Sequence, residues 1–128
     1  MENERIFFDH LIQSLQLLAA EYSVQIEVLP DFVHKPDEVA STFYECFLLT
    51  DQIVEANLIT MDQFKLLSDI DEKLTIMSKE KKYWTLESLR CDPEWEELRI
   101  LSKNILAALR ITQEIPNIDW ISYVKGKD

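Results

Sequence analysis

The side chains best suited to nucleophilic or metal chemistry are few in this sequence: two cysteines, Cys46 and Cys91, and two histidines, His10 and His34. A structural zinc site takes several Cys and His ligands from short spacings on a turn or loop, and these four share none. There is no His-Glu-x-x-His, and no Glu-x-x-His of the kind that holds paired metals inside a helical bundle. A thiol nucleophile needs a neighbouring base, which only His10 or His34 would supply. Cys46 falls on an apolar helical stripe, where a thiol behaves as a small hydrophobe. Cys91 precedes a helix start whose positive end would lower its pKa. The residues therefore point to no metal, no cofactor and no enzyme.

Carboxylates are abundant. Asp69 stands four residues before Lys73, the spacing of a helical ion pair. Asp71 falls between Phe64 and Leu67 on the helical wheel, which makes it a partly buried carboxylate with a basic partner and a structural role.

The constellation with a use lies between Pro36 and Asn57. Asp37, Glu38, Glu45, Asp51, Gln52 and Glu55 line the outward side of a helix there, and Tyr44 and Leu48 project from the middle of that side. Two readings follow. In one, the carboxy-terminal segment covers Tyr44 and Leu48, the commoner fate of an aromatic residue. In the other, an aromatic and an aliphatic anchor ringed by carboxylates form a partner-binding patch, with charge steering the encounter and the apolar pair supplying affinity. Asp92, Glu94, Glu96 and Glu97 make a second acidic group, explained mainly by helix capping, with Trp95 a core residue among them. Trp84 and Trp120 are placed less easily, and either would serve as a surface anchor.

These residues need helices to hold them. Gly126 is the only glycine in 128 residues, which disfavours strand-turn-strand folds and removes glycine-rich phosphate loops. Phe7, Leu11, Leu15, Leu18 and Tyr22 form the stripe of a first helix, from about Asn3 to Tyr22. Residues 24–28 alternate as a short strand would, yet Tyr22, Ile26 and Leu29 also fit helical spacing, and no second strand offers pairing; helix is preferred, ended by Pro30. The second helix runs from Pro36 to about Asn57, with Val39, Phe43, Cys46, Thr50 and Ile53 inward. Thr60 and Gln63 have capping-box spacing, and Phe64, Leu67, Ile70, Leu74 and Met77 follow as a third stripe. Thr85 caps a short turn. Asp92-Pro93 starts a fourth main helix to about Arg110, burying Trp95, Leu98, Leu101, Ile105 and Leu109. Beyond Pro116, Ile118, Trp120, Ile121 and Val124 suggest a last short helix. The expected fold is one all-α domain over residues 1–128: a compact bundle of four main helices plus short helical segments.

Charge narrows the partners. Twenty-four acidic side chains against thirteen basic ones give a formal net charge of -11 and a pI near 4.6. With 47% hydrophobic residues the chain is too apolar for a disordered acidic tail. Phosphate recognition needs clustered Lys and Arg, and the only basic cluster is Lys79, Lys81 and Lys82, so direct nucleic-acid binding is disfavoured. No apolar run approaches the ~20 residues that a bilayer requires, and the acidic start Met-Glu-Asn-Glu-Arg is unlike a secretory signal. A cytoplasmic protein with reduced thiols is expected.

The segments LPDFVHKPDEVASTFYE and WTLESLRCDPEWEELRILSKNIL, with the amphipathic helix before them, give a layout that resembles the helical immunity proteins of bacterial contact-dependent inhibition and other polymorphic toxin systems. The likeness spans about Leu29 to Leu109, is one of general layout, and assigns no residue roles. It implies a stoichiometric inhibitor of a toxin domain, often a nuclease. Acidic composition agrees, because nuclease sites are basic and a carboxylate-rich surface can occupy them as phosphate does. The alternative is a regulatory or adaptor module that binds another basic protein or itself.

Overall fold

A computed structural model describes residues 2–121. Among them are seven α-helices: α1 (Glu2–Ala19), α2 (Tyr22–Val28), α3 (Lys35–Phe47), α4 (Thr50–Glu55), α5 (Met61–Met77), α6 (Leu86–Cys91) and α7 (Pro93–Ala108), with a 3-10 turn at Lys81–Tyr83 and no strand. The fold is all-α. Residues 24–28 are helical as part of α2, whose central residue, Gln25, is buried.

Helix starts follow the local chemistry. Gln63 N–H donates to Thr60 Oγ1 at 3.1 Å while Thr60 N–H donates to Gln63 Oε1 at 2.9 Å, closing the capping box of α5. Asp92 Oδ1 accepts from Glu94 N–H at 2.9 Å, with Pro93 as the first residue of α7. Helix ends show what the scarcity of glycine does. Asn57 and Arg110, at φ of 62° and 61°, hold the left-handed positions after α4 and α7. Behind Arg110 the chain closes a Schellman motif, Ile111 N–H to Leu106 O at 2.8 Å and Arg110 N–H to Ala107 O at 3.0 Å. A Cβ is strained there by about 1 kcal/mol, offset in part by the extra backbone freedom that glycine brings to the unfolded chain. Arg110→Gly is therefore expected to raise stability by about 0.5 kcal/mol in denaturant melts; a loss of stability would contradict this account of the helix end.

The core is centred on α1, which packs against α3, α4 and α7, while α5 closes on α7 and α3. Leu11, Leu15, Leu17 and Leu18 are fully buried there, as are Val39 and Phe43 of α3, Leu67 and Ile70 of α5, and Leu98 of α7. The single stripe expected for the first helix understates it, because Ile12, Ser14, Gln16, Ala19 and Ala20 are buried as well.

Three expected elements differ. The second helix is not continuous to Asn57: it breaks at Leu48 and Leu49 into α3 and α4. Leu49 N–H bonds back three residues to Cys46 O, and the Thr50 hydroxyl takes the Phe47 carbonyl at 2.7 Å, so side chain and tight turn replace the helical ladder. The inward stripe survives the break, since Val39, Phe43, Cys46, Thr50 and Ile53 are all buried. Residues 111–121 form no helix; they run along α1 and turn at residues 119–120, with Val124 outside the described residues. Side-chain amides hold that strap: Gln16 Nε2 donates to Thr112 O, Gln113 Nε2 to Ala19 O, and Asn117 N–H to Gln13 Oε1. Trp120 stacks on His10 at 4.0 Å between centroids. The first helix, finally, stops at Ala19, and Tyr22 opens α2.

Candidate functional site

The two anchors, Tyr44 on α3 and Leu48 at the cap that follows it, are exposed. Burial of Val39, Thr42, Phe43 and Cys46 turns the opposite side of the helix outward, leaving Tyr44 50% and Leu48 61% accessible. They are four residues apart and so are neighbours along that face. The carboxy-terminal strap covers α1 instead, and the reading in which it buries Tyr44 and Leu48 is corrected accordingly. Asp37, Glu45, Asp51, Gln52 and Glu55 are exposed, and Glu38 is partly buried. Because of the break after Phe47, Asp51, Gln52 and Glu55 belong to α4 and continue the acidic face on a second short segment.

Tyr44 and Asp37 also line something the sequence did not disclose. A cleft of about 490 Å³ lies between α3 and α5, with Asp37, Ala40, Ser41 and Tyr44 on one side, Asp71, Leu74, Thr75 and Ser78 on the other, and Trp84 at its edge. Trp84 is fixed: its indole N–H donates to Met77 O at 3.0 Å, its ring meets Trp95 edge-on at 5.4 Å, and its carbonyl accepts from His34 Nε2 at 2.8 Å. The surface-anchor alternative for Trp84 thus becomes a half-buried cleft wall, and Trp120 is part of the strap.

Asp71 is where the electrostatics depart from expectation. It is partly buried, as its place on the wheel implied, but no cation pairs with it and no donor reaches its carboxylate among the described residues. The hydroxyls near it are committed elsewhere, Thr75 Oγ1 to Asp71 O at 2.8 Å and Ser78 Oγ to Thr75 O at 2.6 Å. Lys73 does not pair with Asp69; it reaches across to Glu94 and Glu97 on α7. Its pKa is raised: burial acts to lower it, and the two carboxylates more than offset that.

Burial pushes the Asp71 carboxyl above its ordinary value. It does the same for Glu38, with Glu45 and Asp37 adding repulsion. Both groups hold their proton more tightly folded than unfolded. Their contribution to stability is therefore full below the ordinary carboxylate range and is lost as pH rises through the elevated folded values. No cation among the described residues pairs with the Asp71 carboxylate, and a cationic ligand would fill that place.

Both thiols are shifted towards the protonated form. Burial raises Cys46 to about 11. Cys91 is exposed, but its sulfur lies 3.3 Å from a Glu87 carboxylate oxygen, and that contact raises its pKa, opposite to the lowering expected from the helix start. Among the described residues no group of three or more His, Cys, Asp and Glu is placed to hold a metal ion, and no helix is long and apolar enough to cross a membrane. Compared with protein-family models, characterised proteins and solved structures, the chain finds no match.

Proposed function

We propose that this chain is a stoichiometric protein-binding inhibitor in the cytoplasm, an immunity protein that covers the basic surface of a toxin domain such as a nuclease. It acts by occupancy and not by catalysis. The observation that carries the reading is the exposure of Tyr44 on α3 and of Leu48 just beyond its end, within a field of carboxylates from α3 and α4. Tyrosine is among the residue types enriched at hot spots, and the neighbouring leucine extends its apolar surface. The surrounding negative charge, part of a net -11, steers a basic partner towards them.

The test is co-expression with the toxin domain encoded beside the gene for this chain. Cells are expected to survive with the wild-type chain, and to lose protection when Tyr44→Ala and Glu45→Lys are combined in a variant that remains folded. Absence of any toxin gene beside it, or killing despite a soluble wild-type chain, would contradict the immunity reading. The doubly substituted variant protecting as well as wild type would contradict the assignment of the face.

A further inference from the structure

The cleft between α3 and α5 adds a specific demand to the acidic face, and this inference rests on the protein-binding reading given above. We propose that the cleft receives an arginine side chain of the basic partner, with its guanidinium against Asp71 and beside the rings of Tyr44 and Trp84. The occupant follows from the lining. An anion is opposed by Asp71 and Asp37. A wholly apolar group would strip water from the Asp71 carboxylate and offer it no donor, which is unfavourable for a charged acceptor. A cation satisfies it.

Arginine fits better than lysine. The guanidinium is planar, weakly hydrated and able to stack on an aromatic face while donating two parallel hydrogen bonds to a carboxylate. Tyr44 and Trp84 supply the faces, and Ala40 and Leu74 supply apolar wall for the methylene stem. Two features mark the cleft as ready for such a ligand. The Trp84 indole N–H donates to Met77 O and its ring packs edge-on against Trp95, so little side-chain ordering remains to be done on binding. The neighbouring Thr75 and Ser78 hydroxyls are tied to α5 carbonyls, so Asp71 has no internal donor to surrender.

The experiment needs no partner. Isotope-labelled full-length protein is titrated with blocked Gly-Arg-Gly, with its lysine counterpart, and with the citrulline counterpart that keeps the shape and removes the charge, following amide chemical shifts. Saturable shifts are expected at residues 71–78 and at Trp84 with the arginine peptide, about fivefold weaker binding with lysine, and weaker still with citrulline. Asp71→Asn should lower affinity for the arginine peptide about fivefold without lowering the melting temperature. No saturable shift at the cleft, equal binding of citrulline, or an unaffected Asp71→Asn would overturn the proposal; lysine binding as tightly as arginine would overturn the choice of guanidinium. Leu48→Ala and Glu55→Lys lie outside the cleft and weigh the underlying reading separately. Partner binding that ignores both contradicts that reading, whereas partner binding that responds to them while the peptide finds no site contradicts the cleft alone.

Discussion

Arg99→Met should cost about 3–5 kcal/mol of folding stability, a large part of the ~5–15 kcal/mol that holds an ordinary domain. Arg99 is buried on α7 and ties three parts of the bundle together. Its Nε donates to Ala20 O at 2.9 Å where α1 ends; one terminal nitrogen donates to Gln25 Oε1 on α2 and to Leu89 O on α6, each at 2.7 Å. The other faces Glu96 at 3.4 Å, at the rim. Methionine fills a similar volume but donates nothing. Three buried acceptors then lose their partner, at about 1–3 kcal/mol each before relaxation. A hydrophobic substitute is often harmless where a whole ion pair is replaced, but here the acceptors are carbonyls that stay behind. The melting temperature should fall by roughly 10–20 °C. A fall of only a degree or two would mean that the α1–α2 corner finds other donors and that Arg99 is not the tie.

The second large effect concerns binding. Tyr44→Ala is expected to speed dissociation of the basic partner about thirtyfold, equivalent to about 2 kcal/mol at a hot spot, while moving folding stability by about 0.5 kcal/mol, as exposed positions do. Glu45→Lys and Glu55→Lys should instead slow association and flatten its dependence on salt, because exposed charges act through steering. Surface plasmon resonance at two ionic strengths, with melting curves on the same variants, separates these outcomes. Unfolding by Tyr44→Ala alongside normal binding by both charge reversals would remove the face from consideration.

Much of this fold was legible before the structure, and the reasons are local. Thr60 with Gln63, and Asp92 with Pro93, announce helix starts through hydrogen bonds made within three residues. The inward stripe from Val39 to Ile53 is a period that survives even where the helix carrying it breaks. The break itself was not legible, because Thr50 closing on Phe47 O leaves no mark that a threonine in an unbroken helix would lack. Arg99 was passed over for the opposite reason: it sits four residues after Trp95, on the buried side, but arginine is so seldom buried that the pattern is read around it. The candidate face was readable only in part. The period that turns Phe43 and Cys46 inward puts Tyr44 on the other side of α3, but it left open whether Tyr44 and Leu48 were covered. Nor did it show that Asp51, Gln52 and Glu55 stand on a separate helix. The cleft was not readable, because Asp71 and Trp84 meet α3 only through tertiary packing, and the basic partner expected for Asp71 is absent from the chain's own described residues.

The central claim is that partner contact is made by the α3–α4 face, and hydroxyl-radical footprinting of the complex with the proposed basic partner tests it most directly. Tyr44 and Leu48 are accessible in the free chain and carry side chains that label readily. Labelling of both should fall sharply on complex formation, while Leu86 and Ile100, exposed on α6 and α7, keep their rates. Unchanged labelling of Tyr44 and Leu48 in a saturated complex, with protection appearing around residues 92–97 instead, would contradict the account.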